Sequence, residues 1–242
     1  VIMDYYRDSE DGQAQSDLNR LMDGTFSNQE AGMPEGTVHS ELLRRPGKLY
    51  VLASHFHPDH FNKEVLQWRE QRPDIIYIFS KDILRHRRAQ KEDAVWLKKG
   101  EEYKDETLSV RAFGSTDVGV SFLLQAGGKK IFHAGDLNNW HWMDESTEAE
   151  WKGAEKNFLH ELDDLYAYTP EVDVAMFPVD PRLGKEYMRG AGQFVTKIKT
   201  HIFVPMHFTP EYAKANAFRD FAEAHGVRFV SLTHRGQKIE IE

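Results

Sequence analysis

Residues 54–62 read Ser54-His55-Phe56-His57-Pro58-Asp59-His60-Phe61-Asn62, directly after the apolar run Leu49-Tyr50-Val51-Leu52-Ala53. Three histidines and a carboxylate within six residues, at the end of a strand, constrain this chain more than any other stretch. In extended backbone, residues two apart project to the same side, so His55 and His57 can converge on one point. Asp59 and His60 follow where the chain must turn, and can address a second point. Neutral imidazole and carboxylate are the usual ligands of zinc and similar divalent ions, so the run predicts a metal centre built onto a strand end.

The rest of the chain alternates accordingly. Strands are expected at 1–6, 48–53, 75–79, 108–113, 120–124, 130–133, 172–179 and 201–207, with closing strands at 227–232 and 238–241. Helices are expected near 18–22, at 63–71, over the polar stretch 145–168, and at 192–199 and 212–225. The basic run 82–99 reads as a solvated helical face. Such β–loop–α–β alternation marks a layered α/β domain, and without repeat, linker or low-complexity segment the 242 residues are expected to form one domain. The first residue is Val1 rather than Met, which reads as a sequence lacking its true start.

Composition removes several classes. There is no cysteine, so disulfides, thiolate ligands and cysteine nucleophiles are excluded. A formal net charge of −8 argues against a broad nucleic-acid-binding surface. No apolar run approaches the length of a membrane span, and no export signal is visible, which favours the cytoplasm. A small-molecule substrate is expected, and a homo-oligomer remains open.

Two more strands end in ligand types. Phe132-His133-Ala134-Gly135-Asp136 places a carboxylate whose two oxygens can serve different ions, and Val204-Pro205-Met206-His207 places an imidazole. Function gathers in such loops at one edge of layered folds.

The segments His55-Phe56-His57-Pro58-Asp59-His60, Ile131-Phe132-His133-Ala134-Gly135-Asp136, Val174-Ala175-Met176-Phe177-Pro178-Val179 and Val204-Pro205-Met206-His207-Phe208 together resemble the metallo-β-lactamase superfamily. Within it the likeness is to metal-dependent hydrolases and L-ascorbate-6-phosphate lactonases. The resemblance implies an α/β fold, a four-layer αβ/βα sandwich with metals at one edge of two facing sheets, and a further N-terminal strand or hairpin before Val1. It implies one ion held by Asp59, His60, Asp136 and His207, and another by His55, His57 and the bridging Asp136. The ions would be zinc, one or two per chain, with manganese or iron as alternatives. The implied activity is attack by metal-bound hydroxide on an ester, lactone or phosphoester, with Asp59 orienting the nucleophile or accepting a proton. A phosphodiesterase or nuclease on the same fold and a non-catalytic metal-binding sensor are the competing readings.

One family ligand is missing. A third histidine normally ends the strand before the hairpin, where this chain has Ala112-Phe113-Gly114-Ser115-Thr116-Asp117. Asp117, a hydroxyl of Ser115 or Thr116, or a water would have to replace it; His133 and His141 are alternative donors, with His133, inside a strand, read rather as a buried residue supporting the site, and without a replacement the site is mononuclear. Trp140, His141 and Arg182 are the candidate substrate-pocket residues, Arg182 for an anionic group.

Overall fold

A computed structural model describes residues 1–6, 38, 40–208 and 210–241. Its small sheet joins β1 (Ile2–Met3), β2 (Tyr50–Ala53), β3 (Ile76–Ser80) and β4 (Val95–Leu97), all parallel and in that order. A parallel sheet is covered on both faces, so its strands read as continuous apolar runs rather than alternations; all four residues of β2 are buried. Seven further strands form the large sheet: β5 (Glu102–Lys104), β6 (Leu108–Phe113), β7 (Ser121–Ala126), β8 (Lys129–His133), β9 (Glu171–Pro178), β10 (Lys199–Met206) and β11 (Arg228–Phe229). They lie in reverse chain order, antiparallel from β5 to β8 and parallel from β8 to β11.

Period-two alternation sorts the side chains into layers. Tyr50, Leu52 and Ile78 of the small sheet meet Val110, Phe122 and Leu124 of the large one in an all-strand core between the sheets. The intervening Val51, Tyr77 and Phe79 point the other way, onto Leu43, Val65, Trp68 and Ile83 from α1 (Ser40–Leu43), α2 (Glu64–Gln67), α3 (Lys81–Arg85) and their connections. On the far side of the large sheet, Phe132, Ala175, Phe177 and Phe203 pack against α4 (Glu148–Tyr168), α5 (Arg189–Lys197), α6 (Tyr212–Asn216) and α7 (Arg219–Ala224). The order helices, sheet, sheet, helices is the four-layer αβ/βα sandwich.

The long helix α4 begins at Glu148, later than the expected 145, behind an N-terminal cap. Thr147 accepts from the Glu150 backbone N–H, and the Glu150 carboxylate accepts from the Thr147 N–H in return, a reciprocal cap. Phe158, Leu162 and Leu165, spaced by four and three, form its buried stripe.

Local expectations fail where sheet pairing overrides charge pattern. The basic run 82–99 is not one helical face: α3 stops at Arg85, and Val95–Leu97 pairs with β3 as the fourth strand of the small sheet, with Trp96 packed edge-on to Phe79. The stretch 212–225 breaks into α6 and α7, and β11 has only two residues, while 238–241 makes no strand. The helix expected at 18–22 lies outside the described residues. No described helix is long and apolar enough to cross a membrane.

Candidate metal centre

Four strand ends meet at one edge of the sandwich: β1 and β2 of the small sheet, and β8 and β10 of the large one. Ser54, the residue after β2, sets the base. Its backbone N–H and hydroxyl both donate to Asp4 at 2.6 Å, which ties β1 to the histidine loop. The loop then turns, with the His60 and Phe61 N–H groups both donating to the His57 carbonyl. Phe61 plugs the apolar layer beneath, and the Phe56 N–H donates to Asp82 at 3.0 Å. Backbone and side chain therefore hold the loop from below.

The ring nitrogens converge as the spacing implied. His55 Nε2 lies 3.0 Å from His57 Nδ1 and 3.2 Å from Asp136 Oδ2. His60 Nε2 lies 3.0 Å from Asp136 Oδ1, and His207 Nε2 lies 3.2 Å from the same oxygen. Asp59 Oδ2 stands 3.6 Å from His60 Nε2 and 3.9 Å from His207 Nε2. Donor atoms of His55, His57 and Asp136 lie within 4.8 Å of one another, as do those of His60, Asp136 and His207. Asp136 faces both groups with different oxygens.

Two atoms in this cluster are out of place in a metal-free protein. Asp136 Oδ1 and His207 Nε2 are buried and make no hydrogen bond; their 3.2 Å approach lacks the alignment of one. Leaving a buried polar atom unpartnered costs about 1–3 kcal/mol. Once His60 and His207 give up their ring protons, Nε2 lone pairs and the Asp136 oxygen face one shared space, which is what a cation needs, so the residues fit a metal ion.

A carboxylate backs each of the two imidazoles nearest Asp136 Oδ1. His60 Nδ1 lies 2.7 Å from Asp4 Oδ2, and His207 Nδ1 lies 2.8 Å from Asp180 Oδ2. Such contacts fix the ring and its tautomer, leaving Nε2 as the donor. Burial disfavours the imidazolium of His60, but Asp136 and Asp4 outweigh it and push the group up to about 11. His207 is raised to about 9, with Asp136 and Asp180 again outweighing burial. Asp136 is held far below the ordinary carboxylate range: burial opposes this, and contacts with His207, His55 and His60 prevail. Asp4 and His207 both sit at positive φ, 45° and 62°, a costly conformation for such residues that concentrates at functional sites.

Asp4 and Asp180 were not among the sequence candidates. Each closes an apolar strand, the signal that had singled out Asp136, and neither has a neighbouring histidine in sequence to draw attention to it.

Gly119 is what allows the loop after β6 to lie over the histidines. Its φ is +73°, and a Cβ there would come within 2.1 Å of the Ser54 carbonyl oxygen and 2.5 Å of the His55 Cβ. Gly119→Ala is expected to destabilise the fold by about 2–4 kcal/mol, lowering Tm by roughly 5–15 °C in a thermal melt.

Two hollows open onto the cluster and share Asp59, Arg182 and His207 in their walls. One, of about 390 Å³, also touches Asp4, His60 and Asp180. The other, of about 320 Å³, is bounded by His57, Asp117, Asp136 and Trp140. Trp140 donates its indole N–H to the Asp136 carbonyl and lies edge-on to His207. Arg182 is clamped on Asp180 through Nε and Nη2 and reaches within 3.2 Å of His207 Nδ1. His141, expected in the pocket wall, is a correction: it is buried, with one ring nitrogen at the Glu186 carbonyl and the other accepting the Met143 N–H. It shapes the loop from behind and bounds neither hollow. His133, as expected, is a buried supporting residue: its Nδ1 accepts the Gly135 N–H and lies toward Asp4, and it is in none of the donor groups.

A family model described as "Beta-lactamase superfamily domain" matches residues 34–208, and the chain belongs to that superfamily. Among solved structures it is similar to the metallo-beta-lactamase fold protein YhfI from Bacillus subtilis, at 11% identity over 70% of this chain and 71% of that one, TM-score 0.46. It is likewise similar to a protein described as a possible metal-dependent hydrolase from Veillonella parvula, at 10% identity over 78% and 74%, TM-score 0.48. A metallo-beta-lactamase superfamily protein from Thermotoga maritima aligns at 18% identity over 72% and 68%, TM-score 0.38. No curated protein matches.

Proposed function

We propose that the protein is a metal-dependent hydrolase acting on a small ester, lactone or phosphoester. The observation that carries the reading is the pair of buried, unpartnered atoms, Asp136 Oδ1 and His207 Nε2, set among the ring nitrogens of His55, His57 and His60. Asp59, His60, Asp136 and His207 would hold one ion, and His55, His57 and Asp136 a second. Zinc suits these ligand types, as do manganese and iron. A divalent ion supplies Lewis acidity toward a carbonyl or phosphoryl oxygen and acidifies water at neutral pH.

The chain's own groups do the rest. Asp59 is the half-exposed carboxylate on the rim of both hollows, placed to orient an attacking water and take its proton. Asp4 and Asp180 keep His60 and His207 from rotating. Trp140 walls the site. Arg182, held in place by Asp180, would receive an anionic group of the substrate, and the hollows suit a small molecule rather than a polymer. Likeness to the lactonase branch rests on the sequence segments alone, so lactones and phosphate esters head the substrates worth testing.

The test is metal removal. Chelation is expected to abolish turnover across a panel of esters, lactones, phosphate esters and phosphodiesters, and zinc, manganese or iron to restore it. Turnover that survives complete removal would overturn the proposal. Metal uptake without turnover on any of the panel would favour the sensor reading.

A further inference from the structure

The His55–His57 half of the centre lacks the third histidine that the family resemblance implies, and a side chain at the end of that strand would have to displace Glu161. A Cβ on Gly114 would fall 2.0 Å from Glu161 Oε2. Glu161 is itself fixed there by Lys99, which bridges it to Asp164. Gly114 has no side chain to offer, so a donor from this segment comes from further along the loop.

Ser115 and Thr116 are poorly placed to supply it. The Thr116 hydroxyl donates to the Asn138 carbonyl at 2.5 Å and accepts the Asn138 N–H at 3.0 Å. The Ser115 hydroxyl accepts the Asp117 N–H. These bonds, with Gly119 pressed onto Ser54 and the Val120 N–H on the Ser54 carbonyl, pin the loop at both ends. Asp117 is left beside His57, Oδ2 to Nδ1 3.8 Å.

That distance is too long for a hydrogen bond. It does fall within the range open to two ligand atoms of one ion: with metal–ligand bonds of about 2.1 Å, such atoms lie roughly 3.0–4.2 Å apart. Asp117 Oδ2 lies 3.8 Å from His57 Nδ1 and outside the group within 4.8 Å formed by His55, His57 and Asp136, so its half-exposed side chain has to swing inward to join them.

We infer that Asp117 is the fourth donor of the His55–His57–Asp136 half, replacing the absent histidine and giving that half two imidazoles and two carboxylates. The inference rests on the metal-centre reading above. Exchanging an imidazole for a carboxylate adds negative charge and hardness, so this half is shifted from zinc toward manganese or iron, relative to a site with three histidines.

The experiment is calorimetric titration of metal-stripped protein with Zn²⁺ and Mn²⁺, for wild type, Asp117→Ala and Asp117→His, with bound metal counted by mass spectrometry. Asp117 is about half exposed, and a thermal melt checks that each variant is folded. Wild type is expected to bind two equivalents. Asp117→Ala should keep one and bind the second at least about 100-fold more weakly, beyond what loss of an outer-sphere partner produces. Asp117→His should restore the second equivalent while shifting its preference toward Zn²⁺ over Mn²⁺ by at least about 10-fold. Two equivalents in Asp117→Ala, each within about 3-fold of wild type, overturn the inference. So does a wild type that binds one ion which Asp117→Ala leaves unchanged. A wild type that binds no ion overturns the metal-centre reading itself.

Discussion

Asp136→Ala is expected to strip both halves of the centre at once, leaving less than about a tenth of an equivalent of bound metal and at least about 1,000-fold less hydrolysis. Both carboxylate oxygens are engaged, and on opposite sides: Oδ2 faces His55, Oδ1 faces His60 and His207. The side chain is almost wholly buried, so no water-exposed neighbour can take over. Removing it takes a buried donor from each half at once and leaves the two groups of imidazoles with no shared anion between them. Asp136→Asn separates shape from charge. It keeps the volume but loses the negative charge and turns one acceptor into a donor, so it is expected to lose metal as fully as the alanine variant. Metal content by mass spectrometry reads both variants directly. If either retains two equivalents, Asp136 does not bridge the two halves.

Metal uptake at pH 7 is expected to expel about two protons, one each from His60 and His207. Both groups are raised above neutrality in the metal-free protein, to about 11 and about 9, because the surrounding carboxylates outweigh the burial that opposes their charge. A ligand must surrender its proton before it can bind, so protons compete with metal and affinity falls as pH falls. A plot of log affinity against pH should rise with a slope of about 2 near neutrality, easing toward about 1 once pH passes 9. Calorimetry at one pH in two buffers of different ionisation enthalpy counts the protons; a count near zero would mean that the histidines are already neutral. The same raised values stabilise the metal-free fold. That contribution is fully present below the unfolded histidine value of about 6.5 and is lost as pH rises through about 9 and then about 11.

The parts of this fold that were legible in sequence are those where one physical signal dominates. The buried strand Tyr50–Ala53 stands out as an apolar run and Leu108–Phe113 as an alternation, and the leucine spacing within 145–168 marks a long helix. His55, His57, His60, Asp136 and His207 were legible because several ligand types close apolar strands. Val95–Leu97 was not, because its three residues sit in a strongly basic stretch and become a strand only through pairing with Ile78, Phe79 and Ser80. Asp4 and Asp180 escaped for a related reason: their role depends on which histidine another strand brings beside them, 56 and 27 residues away. His141 misled in the opposite direction. Two tryptophans flank it in sequence, yet its ring turns inward to backbone groups.

The centre draws on both sheets. Asp4 and the histidine loop belong to the small sheet, Asp136 and His207 to the large one, and between the sheets the contact is mainly an apolar layer, crossed by a few bonds such as Tyr50 O–H to Asp105 and Val120 N–H to the Ser54 carbonyl. An ion shared by His60, Asp136 and His207 would therefore act as a rivet through the open edge of that layer, fixing the angle at which the sheets meet. Anything bound only by the folded form adds to its stability in proportion to the logarithm of its concentration over Kd. Metal supply would then set how firmly the two halves of the sandwich stay closed, and not only whether the edge between them is chemically active.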